Sequence, residues 1–398
     1  MRWRSLRGWL SAAAVVLLAL VAGCSGSSLD DTTDTGGGPV RIGLLWPQSG
    51  GYKDIGTDLA RGWQFYLDNH EGRLGGHDVE VSVMDEGDGT TPALNGAKKL
   101  LDSDRSIVLV GGATANTTVS IKELVTSRKV PFIGTGGRPS TVEDVTWIRH
   151  TSWQSVEVGT AIADYIRTTV NGPVYAVGPD YQGGYDNING FVTAFTAGGG
   201  RLANPDGKPE WTPWNPPTTN FQTTLTKIKN SGAKAVFAFY AGSSATNFVK
   251  QYAQAGLDIP LYGSGFLTEG DSVLDAQGDA ALGVRTVLNY GGSVDNQANR
   301  AFAPAFQSAY GDTPNIYHVT AYDAAMVLDR ALAVAGPHPT SESINAALDE
   351  LGEIDSPRGP WRFGAGHAPV QAWYLREVQF DGRSRANVVI ANLTTLGN

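Results

Sequence analysis

The stretch V-R-I-G-L-L-W-P-Q-S-G-G, Val40 to Gly51, decides how the rest of the chain is read. Val40 to Trp46 is an apolar run of strand length, and Pro47 with Ser49-Gly50-Gly51 stops it in a turn. From about Thr57 to Asn69 the apolar residues Leu59, Trp63, Tyr66 and Leu67 recur at three- and four-residue spacing, which predicts a helix. The alternation then repeats: strand His77–Met84, helix Pro92–Leu101, strand Ser106–Val110, helix Thr117–Ser127 and strand Val130–Ile133. Strands separated by helices require crossover connections, and these lay the strands parallel in a sheet covered on both faces.

A second round of the same kind follows Trp147–Thr151. It comprises helix Ser155–Thr169, strand Val174–Val177, helices Gly184–Ala197 and Phe221–Asn230, strand Ala233–Tyr240, helix Ala245–Ala255 and strand Pro260–Gly263. Two α/β sets of similar length predict two Rossmann-like lobes. Gly198–Asn220, with five Pro and two Trp, reads as a short strand and a loop. Helices at Gln297–Tyr310, Tyr317–Ala335 and Ser341–Leu351 and strands at Ala372–Phe380 and Ala386–Asn392 complete the chain.

The N-terminus reads as a targeting segment. Arg2, Arg4 and Arg7 precede an apolar stretch, Leu10–Ala22, that is short for a spanning helix. It closes in Leu20-Val-Ala-Gly-Cys24, which resembles the bacterial lipobox and implies a signal peptide over 1–23 and a lipidated Cys24. Ser25 to Pro39 is Ser-, Thr-, Asp- and Gly-rich, so 24–39 is expected to be a flexible tether. No second long apolar run occurs, which leaves the lipid as the expected membrane attachment.

Composition narrows the function. Among 398 residues there are 30 Lys+Arg, 39 Asp+Glu and a single Cys, so no internal disulfide and no Cys-based metal motif can form. Loss of Arg2, Arg4 and Arg7 with the signal takes the net charge from −9 to −12, which disfavours nucleic acid as a partner. No G-x-x-x-x-G-K-[ST], H-E-x-x-H or G-x-S-x-G occurs, and the six His show no ligand spacing. No catalytic residue, metal or cofactor is therefore expected. Glycine turns after strands, at Gly111-Gly112 and Gly134–Gly137, lie where α/β proteins take ligands, without a full dinucleotide fingerprint.

The opening stretch, the Gly62-Trp63 helix, Val110-Gly-Gly112, Val130-Pro-Phe-Ile-Gly134, Ile148–Thr151, Asp180–Gly184, Asn220-Phe221, Ala255–Leu257 and Tyr322–Ala325 occur in an order that resembles the type I periplasmic binding proteins of the branched-chain amino-acid ABC transporter family. Asp355–Phe363 (D-S-P-R-G-P-W-R-F), with Pro369–Gln371 and Tyr374–Val378, is similar to the branch that includes aromatic-acid binders. The resemblance implies two lobes joined by three crossovers near Ser152, Val287 and Gly366. One lobe would be 40–152 plus 288–366, the other 153–287 plus 367–398.

It also implies a cleft. Thr114, Ala115 and Asn116 would offer hydroxyl, amide and side-chain contacts, Gly136 a backbone contact and Arg138 a charge for a carboxylate. Trp46, Trp153, Tyr181 and Tyr240 would supply apolar walls. Gly265 falls where amino-acid binders carry the Glu that holds the ammonium, with Glu269 or Asp271 as possible substitutes. The expected function is an exported, monomeric, lipid-anchored receptor that gives a small carboxylate, aromatic by this branch, to an ABC permease and ATPase. A branched-chain amino-acid, amide or urea receptor, a sensory binding protein, and an extracellular hydrolase are the competing readings.

Overall fold

The computed structural model describes residues 38–87 and 90–397. The readings of a signal peptide and of Cys24 fall outside these residues, as does the tether except for residues 38 and 39. Residues from Gly38 onward form one compact unit, built on two sheets.

The first sheet contains β1 (Val40–Trp46), β2 (Arg73–Leu74), β3 (His77–Asp85), β4 (Val108–Gly111), β5 (Phe132–Gly134) and β6 (Ile148–His150). Their spatial order is β2-β3-β1-β4-β5-β6. β1 runs parallel to both β3 and β4, with Leu44 opposite Val83 on one side and Val110 on the other. Ile42, Leu45, Val108 and Val110 are buried, as a strand covered on both faces requires. The second sheet takes β7 (Val174–Pro179), β8 (Glu210–Thr212), β9 (Ala235–Ala238), β10 (Leu261–Ser264), β11 (Arg285–Leu288), β12 (Arg362–Phe363), β13 (Pro369–Phe380) and β14 (Arg385–Leu396). It is ordered β12-β13-β11-β10-β9-β7-β8, and β14 pairs antiparallel with β13.

Three differences from the sequence reading matter for the site. The helix expected from Thr57 begins at Lys53, and the one expected from Thr117 begins at Ala115, which turns Thr114 into its N-cap. Arg285–Leu288, read only as a crossover, is a strand and joins the sheet on β10. Among the described residues no helix is long and apolar enough to cross a membrane.

The helices of residues 297–349 return to the first sheet. Gln297–Tyr310 packs Phe302 and Phe306 edge-on against Phe65, at 5.6 and 5.3 Å between ring centroids. Ile316–Val334 crosses helix Lys53–Asp68 at Gly62, where a Cβ would strike the backbone of His318. The chain therefore passes between the sheets three times, in 151–154, 289–296 and 350–361.

These passages are tied together at one atom. The Ser152 carbonyl accepts from Asn289 Nδ2 (3.3 Å), Arg358 Nη1 (3.0 Å) and Gln371 Nε2 (2.8 Å). Arg358 also donates to the Thr151 carbonyl, pairs with Asp323 at 3.1 Å and lies over the Trp361 ring, 4.8 Å from its centroid. Asp323 is fully buried and further accepts from Ser356 Oγ (2.9 Å) and Trp361 Nε1 (3.0 Å). Burial pushes its carboxyl up to about 6, against the pull of Arg358 and the two neutral donors. The D-S-P-R-G-P-W motif is thus a hinge clamp, in which Ser356, Arg358 and Trp361 surround one buried carboxylate. Removing the cation alone strands that charge, so Arg358→Ala is expected to lose about 3–5 kcal/mol in urea unfolding. A loss below about 1 kcal/mol would contradict this role.

Candidate functional site

A cavity lies where the C-terminal ends of the parallel strands of the two sheets face each other, the position at which open α/β sheets bind ligands. Its empty volume, counted with the solvent it opens onto, is ≈ 440 Å³. The turn and helix after β1 contribute Tyr52 and Ile55, the loop after β4 Ala113, Thr114 and Ala115, and the loop after β5 Gly137. Trp153 and Ser155 come from the first passage between the sheets. Tyr181, Gly183 and Asn187 follow β7, Phe239 and Ala241 follow β9, Phe266 follows β10, and Tyr317 opens helix Ile316–Val334. A wider hollow of ≈ 1030 Å³ shares Ile55 and Tyr317 with the cavity and holds Lys53, Asp54, Asp58 and Glu269. Charged side chains thus stand in this neighbouring hollow, and among the described residues none lines the cavity itself.

The lining is a box of rings. Trp153 and Phe266 lie 5.0 Å apart, Phe239 and Phe266 5.9 Å, Tyr181 and Phe239 6.1 Å, and Phe266 and Tyr317 6.2 Å, between centroids. Trp214 stacks on the back of Tyr181 at 4.7 Å and donates from Nε1 to Tyr52 Oη at 3.3 Å. Burial raises the hydroxyls of Tyr181 and Tyr317 well above the ordinary tyrosine range, so both keep their protons as donors.

At the opposite wall Gly111 (φ 137°) and Gly112 (φ 75°) turn the chain out of β4 into helix Ala115–Arg128. Thr114 caps that helix: its Oγ1 accepts from Thr117 N at 3.3 Å and pairs with Thr117 Oγ1 at 3.1 Å. The first-turn amides have no intrahelical carbonyl and carry the positive end of the helix dipole. Behind the loop sits Glu86, fully buried, with both carboxyl oxygens within 3.0–3.1 Å of Ala113 N. Burial pushes it up to about 8, so at neutral pH it is largely uncharged.

The cavity is closed by contacts at its rim. Asp186 accepts from Ser140 N (2.9 Å) and Ser140 Oγ (2.6 Å). On the other side Glu269 accepts from Ile316 N at 2.7 Å and Asp271 from Thr313 N at 2.9 Å.

Of the residues expected at the site, Thr114, Ala115, Trp153 and Tyr181 come together in the cavity wall. The others do not line it. Arg138, expected as the counter-charge, donates to Val142 O (2.9 Å) and Gln154 Oε1 (2.5 Å), which turns its guanidinium away to brace the 138–142 turn. Trp46 packs edge-on against Trp63 at 6.3 Å in the core. Tyr240 is buried between Phe221 and Phe248, at 4.9 and 4.8 Å. Gly136 and Gly265 lie behind the wall, where their carbonyls accept from His150 Nδ1 and Arg376 Nη2. Asn116 is half-buried in the first turn of helix Ala115–Arg128 and does not line the cavity. Glu269, considered as an ammonium acceptor, is paired with Arg376 at 2.8 Å, and Asp271 serves Thr313. The residues that sequence reasoning missed are Tyr52, Ser155, Asn187, Phe239, Phe266 and Tyr317.

Glu86 gives this site a pH signature. Burial lifts its folded pKa to about 8, far above the ordinary glutamate range, so its contribution to stability is present at acid pH and is lost as pH rises through 8. The melting temperature of Glu86→Gln relative to the parent should therefore climb between pH 5 and pH 9. A flat difference would show that Glu86 is ionised throughout.

Comparison with known proteins places this geometry. The profile of the periplasmic binding protein family matches residues 39–383. A Leu/Ile/Val-binding protein homologue of Brucella melitensis is 29% identical over 349 residues, 85% of this chain and 87% of the relative. The chain superposes with TM-score 0.83 on a solute-binding protein of an ABC transporter from R. palustris in complex with benzoate. That protein is 30% identical, over 91% of this chain and 98% of the other. A second such protein, from Rhodopseudomonas palustris BisB5 in complex with 3,4-dihydroxybenzoic acid, gives a TM-score of 0.81 at 27% identity, over 89% of this chain and 97% of that one. With two α/β lobes facing each other across a cavity, and a match over almost the whole described chain, this protein belongs to the periplasmic binding protein family, whose members bind solutes for ABC transporters and are not enzymes.

Proposed function

We propose that the protein captures a small aromatic carboxylate outside the cytoplasmic membrane and delivers it to the permease and ATPase of an ABC importer, working as a monomer held by a lipid on Cys24. The observation that carries this reading is the lining: six aromatic side chains, no charged one, and one helix N-terminus. A flat ring packs against the wall formed by Trp153, Phe239 and Phe266, and its carboxylate is held by the Ala115 and Asn116 amides and the Thr114 hydroxyl. The R. palustris relative holds benzoate on the same fold. We set the moving bodies at 40–152 plus 288–366 and 153–287 plus 367–398. Closure is favoured because the ligand touches both lobes only when Ser140 meets Asp186 and Ile316 meets Glu269.

A leucine-type ligand is disfavoured by the same lining. Its ammonium would be buried with no carboxylate beside it, a severe desolvation cost.

Benzoate-class acids at one hundred times their dissociation constant should stabilise the protein by about 2.7 kcal/mol in thermal unfolding, while leucine and acetamide leave it unchanged. Stabilisation by leucine alone would overturn the aromatic reading. Deletion of the gene should abolish uptake of the labelled acid; intact uptake would favour a sensory role. Cys24→Ser should move the exported protein from the membrane fraction to the soluble one, and retention in the membrane would argue against the lipid anchor.

A further inference from the structure

Asn187 lies one turn after Gly183 on helix Gln182–Ala197, and both residues line the cavity. Its side chain is fixed. Nδ2 donates to Gly183 O at 2.8 Å, and because a carbonyl only accepts, this bond settles which end of the amide is which. The other end, Oδ1, is buried without a partner in a residue 2% exposed. A buried acceptor left unpaired is costly, and native structures rarely keep one without a reason.

The remaining polar side chains of the lining differ in kind. Tyr52, Thr114, Ser155, Tyr181 and Tyr317 carry hydroxyls that donate or accept, and Trp153 carries a donor. Among these side chains Asn187 alone carries a buried, unpartnered oxygen that can only accept. That oxygen repels a carboxylate, and an ammonium would need a carboxylate that the lining lacks. A neutral O–H or N–H on the ligand is the group left to satisfy it.

The two relatives hold rings without and with hydroxyls, benzoate and 3,4-dihydroxybenzoic acid, on one architecture. Discrimination between the two ligand types must therefore come from individual lining residues. We propose that Asn187 is the specificity-determining residue of this cavity, accepting a hydrogen bond from a ring hydroxyl, so that the ligand class is hydroxylated aromatic acids in preference to unsubstituted ones. This rests on the aromatic-carboxylate reading above.

Calorimetric titration of the purified protein with benzoate, the three monohydroxybenzoates and the methyl ether of the best of them tests it. At least one hydroxybenzoate should bind about tenfold or more tighter than benzoate, as expected when a buried acceptor gains its donor. The ether should lose that gain. Asn187→Leu should remove the preference, so that the hydroxylated acid and benzoate bind the variant within about threefold of each other. If this variant fails to fold, the comparison of hydroxyl, ether and unsubstituted ring in the parent protein still decides. Benzoate equal to every hydroxybenzoate, or a preference that survives in Asn187→Leu, would overturn the assignment and leave the aromatic reading standing. Binding of none of the acids would remove both.

Discussion

The Ser152 carbonyl holds the arrangement together. A side chain from each of the other two passages, Asn289 and Arg358, and Gln371 of β13 converge on it, and Arg358 is anchored in turn by the buried Asp323. Two sheets joined by three separate strips of backbone could slide or twist in many ways. Fastening the strips at one point would leave mainly a rotation, which on the closure proposed above brings the loops after β4 and β7 together in a fixed register. A buried ion pair is weak support for stability in general. Here its geometry ties helix Ile316–Val334 to the crossing points, so its role is to specify how the lobes meet.

The cavity reached by that rotation works without a charged side chain. An aromatic face gains from leaving water and from offset contact with other rings. On the proposed reading, a carboxylate exchanges its hydration for fixed donors in the first turn of helix Ala115–Arg128. Glu86, uncharged behind the same loop, adds no opposing field at neutral pH. Lysine or arginine inside would strengthen the grip on any anion and weaken the distinction among them. A neutral box recognises shape first and polarity at only a few places.

Much of this architecture could be read from the sequence, because strand and helix periods are long-range patterns that survive small errors. The apolar run Val40–Trp46 and the helix containing Leu59, Trp63 and Tyr66 stand where the pattern put them. The site was legible only to within one residue. Gly136, Tyr240 and Gly265 were expected, whereas Gly137, Phe239 and Phe266 line the cavity. Neighbouring side chains at the end of a strand point to opposite faces, so a slip of one position exchanges cleft for core. Arg138 shows another limit: its partners Val142 and Gln154 are ordinary residues, and no motif announces that a guanidinium will be occupied by them. Tyr317 and Asn187 were hidden inside helices, where the apolar period explains them equally well as core.

The rim contacts Ser140–Asp186 and Ile316–Glu269 lie outside the space the ligand fills. On the closure proposed above, a bound molecule walled in by residues of both lobes leaves as those contacts break, so the rim sets its residence time together with the surfaces it touches. Capture and discharge are thereby separable. A membrane partner that pries apart the edge of the closed protein could release the cargo quickly, however tightly the rings inside embrace it.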